Sequence, residues 1–446
     1  MTTRMISVPA TLPRVLIRGG HLIDPAHQID QPKDLWIADG SLVAITAPGE
    51  TLAGFVPDQV IEAGGNVVCP GLIDLSARLR EPGFEYKATL ESEMRAAIAG
   101  GVTRLVCSPD TDPPLDEPGL VEMLKHRARN LQQAHVHPLG ALTAQLKGEH
   151  LTEMAELTEA GCVGFSQGPN PLQNTQILMR ALQYARTFDY AVWIYPMDPW
   201  VGRSGVAHSG AVSGRMGLPG ISVLNETIAL HTIFELMRST GARVHLCRLS
   251  SAAGIDLVRK AKAEGLRLTA DVAVHHLHLI DVDISDFDPN YRVLPPFRGQ
   301  RDRDAIRAGL ADGTIDVVCS DHAPVDDDAK QLPFGEAEPG VTALELLLPL
   351  TLKWARESGL SIAQALGKLT VQPAAVLGRD AGRLAVGGQA DLCIFDPEPF
   401  WPVSAKNLYS QGRNTPYLGM EIQGQVNAVL VDGRCVFDRR QGGFSA

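Results

Sequence analysis

Both ends of the chain alternate short apolar runs with turn signals. Near the amino terminus Val15-Leu16-Ile17 precedes Gly19-Gly20, Leu35-Trp36-Ile37 precedes Asp39-Gly40, and Val60-Ile61 precedes Gly64-Gly65. The texture returns near the other end, in Leu392-Cys393-Ile394-Phe395 after Gly387-Gly388 and in Ala428-Val429-Leu430-Val431 before Asp432-Gly433. Such runs predict short strands joined by tight turns. In between, apolar runs alternate with helix-like stretches. The runs are Val67 to Leu75, Val102 to Ser108, His135 to Leu142, Cys162 to Phe165, Ala191 to Tyr195, Arg243 to Leu249, Arg267 to Val274 and Ile315 to Ser320. Thr89 to Ala99, Leu120 to Leu131, Asn225 to Met237 and Ala252 to Ala263 read as helices between them. Eight strand–helix units predict an α/β chain folded as a (β/α)8 barrel over residues 69–379, with residues 14–68 and 380–440 forming a small β-rich domain.

Composition narrows the function classes. At 446 residues, 45% hydrophobic and 20% charged, the chain reads as a soluble globular protein. A net charge of −11 and the absence of a basic run predict no nucleic-acid partner and no anionic membrane surface. Seven scattered cysteines without a Cys-x-x-Cys pair suit a reducing, cytoplasmic setting. The segment Met1 to Leu12 lacks the long apolar run of a signal peptide or membrane span and is expected to be a short mobile tail.

Chemistry in a parallel barrel sits at the carboxyl ends of the strands. There the chain carries Pro70-Gly71-Leu72-Ile73-Asp74-Leu75-Ser76-Ala77-Arg78-Leu79-Arg80-Glu81-Pro82-Gly83, then Arg292-Val293-Leu294-Pro295-Pro296-Phe297-Arg298, then Ala311-Asp312-Gly313-Thr314-Ile315-Asp316 with Ser320-Asp321-His322-Ala323-Pro324, and Pro339-Gly340-Val341-Thr342-Ala343-Leu344-Glu345. In order and spacing these resemble the motifs of the dihydroorotase branch of the amidohydrolase superfamily. The resemblance runs from Val15 to Phe437.

That family uses metal-bound hydroxide, because a cation lowers the pKa of water and polarises the scissile carbonyl. The resemblance puts the paired metal-binding histidines at Ser76 and Arg78, the acidic or modified-lysine ligand at Gln167, the strand-five histidine at Tyr195 and the strand-six histidine at Arg248. Asp321 alone remains of the ligand set. One carboxylate does not make a catalytic zinc site, and a guanidinium has no lone pair to offer. The expectation is therefore no metal and no catalytic residue, with Asp321 vestigial and one or both of Arg78 and Arg248 paired with it in place of the lost cations.

The substrate side is altered in parallel. Arg80 matches the family's carboxylate-binding arginine, but the asparagine after strand two is replaced by Asp110, and the histidine after the last strand by Val325. Leu294 also stands where the family has a polar residue. Arg80, Asp110 and His322 are thus expected to be remnants of a substrate pocket. Blander readings apply elsewhere. His135 and His137 begin a strand that carries no ligand in the family, His275 and His276 match a structural pair, and Ser76 has no adjoining histidine base. The doublets Gly100-Gly101 and Gly387-Gly388 read as turns.

Two functions follow from the resemblance. One is a catalytically inactive dihydroorotase homologue that supports pyrimidine biosynthesis as a structural partner of the aspartate transcarbamoylase catalytic subunit, assembling as a homo-oligomer. The other is an active cyclic amidohydrolase of the dihydroorotase type, using zinc through atypical ligands or acting without metal.

Overall fold

In the computed structural model, which describes residues 12–444, the strands form two systems. A nine-stranded sheet takes five strands from the amino-terminal part: β1 (Val15–Asp24), β2 (Ile29–Ala38), β3 (Ser41–Thr46), β4 (Gln59–Glu62) and β5 (Val67–Pro70). The barrel follows, with β6 (Leu72–Ala77), β7 (Val102–Cys107), β8 (His135–Pro138) continued as β9 (Gly140–Ala141), β10 (Phe165–Ser166) and β11 (Ala191–Ile194). A two-stranded ladder of β12 (Ala207–His208) and β13 (Gly220–Ile221) interrupts it before β14 (Arg243–Leu246), β15 (Leu268–Ala273) and β16 (Val317–Cys319). The carboxyl-terminal segment returns to the first sheet as β17 (Leu392–Pro402), β18 (Glu421–Val431), β19 (Arg434–Asp438) and β20 (Gly443–Phe444). The amino-terminal tail lies outside the described residues, apart from Leu12.

All barrel neighbours pair in parallel, and a parallel bridge between Ala77 and His322 joins the last strand position to the first. With β8 and β9 taken as one strand, eight positions close the ring. Strand alternation sorts the core. Ile73, Leu75, Val106, Leu139, Trp193 and Val317 form one buried cluster with Ala374, Val376 and Leu377 of the helix Val371–Leu377. Because Ile73 at the start of β6 donates to the Leu369 carbonyl at 2.8 Å, that helix plugs the amino-terminal end of the barrel. The alternate residues Leu72, Leu105, Val192, Val244, Ala270 and Val318 belong to the outer layer packed against helices.

The structure corrects several boundaries. The run Val67 to Leu75 is two strands in different sheets: β5 pairs with β1 and β17, whereas β6 pairs with β7, and Gly71 is the step between them. Gly19-Gly20 is no turn; the register shifts there within the continuous strand β1, which makes it a bulge. The fourth barrel strand lies at Phe165–Ser166, later than the start of the apolar run, because the Cys162 N–H closes back onto the Leu157 carbonyl of the preceding helix and Val163 makes only a single backbone bond, to the Pro138 carbonyl of β8. Asp39-Gly40 and Asp432-Gly433 do form tight hairpin turns, each with both central residues at positive φ. Among the described residues no helix is long and apolar enough to cross a membrane.

Candidate functional site

Four strand ends converge at the barrel mouth. Ser76 lies in β6, Tyr195 follows β11, Arg248 follows β14 by two residues, and Asp321 follows β16 by two. Arg80, Arg248 and Asp321 have φ of 61°, 56° and 48°, a region that costs a non-glycine residue about 1 kcal/mol or more. The surrounding contacts hold them there.

Arg248 is the hub. Its Nε donates to Asp321 Oδ1 at 3.0 Å and its Nη1 to Asp271 Oδ2 at 3.0 Å, while Nη2 donates to both the Ser76 hydroxyl and the Tyr195 hydroxyl. Its backbone N–H donates to the other oxygen of Asp271 at 2.6 Å, and the guanidinium lies 4.5 Å from the Tyr195 ring centroid. Ser76 in turn donates to Asp321 Oδ1 at 3.3 Å. All five of these residues are buried. Burial alone would disfavour the charged forms, yet Asp271 and the guanidinium are each held ionised by the other: the Asp271 pKa is lowered and that of Arg248 raised. Burial also raises the Tyr195 hydroxyl, which keeps it neutral.

Arg78 turns mainly to a different acid. Its Nε donates to Asp110 Oδ2 at 2.8 Å, and its Nη1 stays 3.9 Å from Asp321 Oδ1. Burial pushes the Asp110 carboxyl up, but the Arg78 guanidinium overrides it and holds the pKa down to about 2. The negative charge that Asp110 brings to the family's asparagine position is therefore matched within the fold.

The residues present do not fit the family's metal. A cation at the carboxylate of Asp321 would meet the Arg248 guanidinium, a group that only donates and repels positive charge. Two other clusters have ligand-like spacing among the described residues. In His245, Cys247 and Asp271, both histidine nitrogens are already engaged, at 2.8 Å with Thr269 and 3.0 Å with Asp271, and burial raises the Cys247 thiol. In His135, Asp391 and Asp432, Arg104 Nη2 sits 2.8 Å from Asp391.

Other predicted site residues are not brought into this cluster. Gln167 is tied to the loop after β9, accepting from Thr143 at 2.8 Å and donating to the Leu146 carbonyl at 2.6 Å. Arg80 donates to the Pro324 carbonyl at 2.8 Å and lies 3.7 Å from Glu338, which also pairs with Lys87 at 2.6 Å. His322 faces away from the cleft, into the barrel wall: Nδ1 accepts from the Ala343 N–H at 3.1 Å, and Nε2 meets Glu93. Val325 packs in the interior, its backbone N–H held by Asn414 at 3.0 Å. His275 and His276 pack on Phe297 at 5.6 and 5.1 Å, as a structural pair would.

Sequence reasoning missed Asp271, the second acid on Arg248. Its signal was a charged residue in the middle of the apolar strand Leu268–Ala273. A cleft of about 940 Å³ opens among the loops that follow the strands, lined among others by Gln167, Met197, Asp198, Arg203, Arg292 and Leu294 and by none of the five residues of the Arg248 cluster.

Comparisons with known proteins bear on the family. Residues 65–254 match the dihydro-orotase-like family and residues 216–436 the amidohydrolase family. A dihydroorotase-like protein of Pseudomonas aeruginosa is 42% identical over 419 residues, covering 94% of this chain and 98% of its own length. A dihydroorotase of Geobacter sp. (strain M21) is 38% identical over 423 residues, covering 95% and 99%. Among solved structures, the L-hydantoinase (dihydropyrimidinase) from Arthrobacter aurescens superposes with a TM-score of 0.84 over 95% of this chain and 96% of its own, at 22% identity, a likeness of fold.

Proposed function

This chain belongs to the dihydroorotase-like family of amidohydrolases, and from that membership we propose that it is a non-catalytic relative whose barrel serves as a structural partner of aspartate transcarbamoylase. The observation that carries the first half is the position of Arg248. Arg248 itself stands at one position where the resemblance puts a metal ligand; its guanidinium bonds the groups at three others, Ser76, Tyr195 and Asp321, and is balanced by Asp271 within β15. Neither hydroxyl of the cluster supplies the missing chemistry. Ser76 is held between a cation and a carboxylate with no imidazole base beside it, and Tyr195 is neutral. The second half rests on the family resemblance. In this reading the protein acts in the cytoplasm as a homo-oligomer, without zinc, supplying surface for the transcarbamoylase catalytic subunit.

The second reading, an active cyclic amidohydrolase, is favoured by one specific fact: relatives at 38% identity are named dihydroorotase. Metal analysis and a dihydroorotase assay with added zinc or cobalt separate the two. The non-catalytic reading expects far less than one zinc per chain and no turnover; stoichiometric zinc with turnover overturns it. Co-purification with the transcarbamoylase catalytic chain, followed by mass measurement, tests the partner. A stable mixed complex is expected, and two separately migrating proteins with unchanged stability would sink that half.

A further inference from the structure

At the opposite end of the barrel from the mouth lies a cavity of about 590 Å³, within the range of small-molecule sites. The helix Pro118–Leu131 contributes Lys125 and Arg129 to its wall, β8 contributes His135 and His137, Arg379 enters just after the plug helix, and Arg434 opens β19. Asp432 is the one carboxylate in the lining, and it already accepts from Gln389. In a chain of net charge −11 this concentration of cations is not a reflection of composition.

These cations lack the partners that arginine and lysine find elsewhere in the fold. Lys125 Nζ donates to the Ala160 carbonyl at 3.0 Å, and Arg434 Nη1 to the Gln132 amide oxygen at 2.7 Å, both neutral acceptors. Among the described residues Arg129 and Arg379 form no salt bridge, whereas Arg104, next to the cavity, pairs with Asp391 at 2.8 Å. A helix carboxyl terminus favours a cation; that accounts for Arg129 and for Arg379 just past the plug helix, but not for Arg434, which opens β19, nor for their convergence on one cavity. A second feature points the same way. His137 Nε2 is buried without a hydrogen-bond partner. Burial, then Arg104, His135, Arg379 and Lys125, keep the ring neutral, with a pKa near 3. Of these neighbours Arg104 and His135 face Asp391, whereas Lys125 and Arg379 have no carboxylate partner among the described residues, so an unpartnered imidazole nitrogen beside them marks a place where a counter-anion fits.

We propose that this cavity binds a small phosphate-bearing anion, held by Lys125, Arg129, Arg379 and Arg434. Guanidinium groups pair with phosphate oxygens through two parallel hydrogen bonds, and converging cations in a concave site focus the field on an entering anion. The volume exceeds what one phosphate fills, so a diphosphate or a phosphorylated metabolite fits the class better than the bare ion. The concave shape and the overall negative charge argue for a small molecule over nucleic acid.

The test is isothermal titration of the full chain with sodium pyrophosphate, and separately with orthophosphate, in low-salt buffer. Saturable binding at one site per chain is expected, weaker at high salt. Tighter binding of pyrophosphate assigns a diphosphate ligand, and equal affinities assign a single phosphoryl group. Arg129→Gln with Arg379→Gln removes two exposed side chains, and is expected to weaken binding at least tenfold without lowering the melting temperature. Arg434→Gln alone should weaken it as well. Arg203→Gln, in the mouth cleft, should leave it unchanged. No saturable binding, undiminished binding in the double variant, or loss of binding on Arg203→Gln would each overturn the proposal.

Discussion

Arg248 Nε and Asp321 Oδ1 stand 3.0 Å apart at the barrel mouth, each residue in the left-handed backbone region. The contact converts a carboxylate that would otherwise seek a cation into half of an internal ion pair. Removing the arginine leaves Asp321 and Asp271 buried without their counter-charge, a change that typically costs 3–5 kcal/mol. Arg248→Ala is therefore expected to lose roughly that much stability in urea unfolding. A wild-type midpoint in the variant would refute the assignment of Arg248 as the electrostatic centre.

The pair of Arg78 and Asp110 makes a prediction in pH. The native Asp110 pKa lies near 2, below its unfolded value of 3.8. A carboxyl depressed in the folded state contributes stability above its unfolded pKa and loses it as the pH falls through the native one. The contribution should be present above about pH 4 and fade between pH 4 and pH 2, with a size of roughly 2 kcal/mol. Asp110→Asn should unfold more easily than the parent at pH 7, and the difference should close towards pH 2. A gap that persists at pH 2 would mean that the side chain acts through shape instead of charge.

Gly71 predicts a steric result. A Cβ there would lie 2.2 Å from Thr103 Oγ1 and 2.4 Å from its Cγ2, and Thr103 is fully buried in β7. Gly71→Ala should destabilise by roughly 1–3 kcal/mol, since overpacking forces neighbours off their rotamers. Thr103→Ala in the same chain removes two of the close contacts and leaves one at 2.8 Å, to Cβ. A partial rescue in melting temperature is the expected outcome, and a fully additive loss would contradict it.

The legible and illegible parts of the chain divide along physical lines. Strand ends were readable because barrel strands are apolar runs whose last residues turn polar, so Ser76, Tyr195, Arg248 and Asp321 could be placed at one mouth from spacing and resemblance. Gly71 was not, since a strand that changes sheets stays apolar on both sides of the step. The orientation of His322 was equally hidden. Whether an imidazole one residue after Asp321 faces the cleft or the wall depends on Glu93, more than two hundred residues earlier in the chain. Nor could spacing show that Arg78 prefers Asp110 to Asp321, because both acids lie within reach and distance alone decides.

Asp271 supplies the last and most discriminating test. It accepts three hydrogen bonds: from the Arg248 backbone N–H at 2.6 Å, from Arg248 Nη1 at 3.0 Å, and from His245 Nε2 at 3.0 Å. Two of these come from one residue, so Asp271 and Arg248 should behave as a unit. Asp271→Asn removes the charge while keeping an acceptor, and should destabilise by a few kcal/mol because Arg248 then faces Asp321 alone. Arg248→Met strips the cation and leaves Asp271 uncompensated. In the double variant neither buried charge of this pair remains, so the combined loss should fall short of the sum of the single losses by 0.5–3 kcal/mol, the range for residues in direct contact. Equilibrium unfolding of the parent, the two single variants and the double variant measures that difference directly. Strict additivity would show that the two residues stabilise the barrel mouth independently, and that the guanidinium does not stand in for the charge of a bound metal.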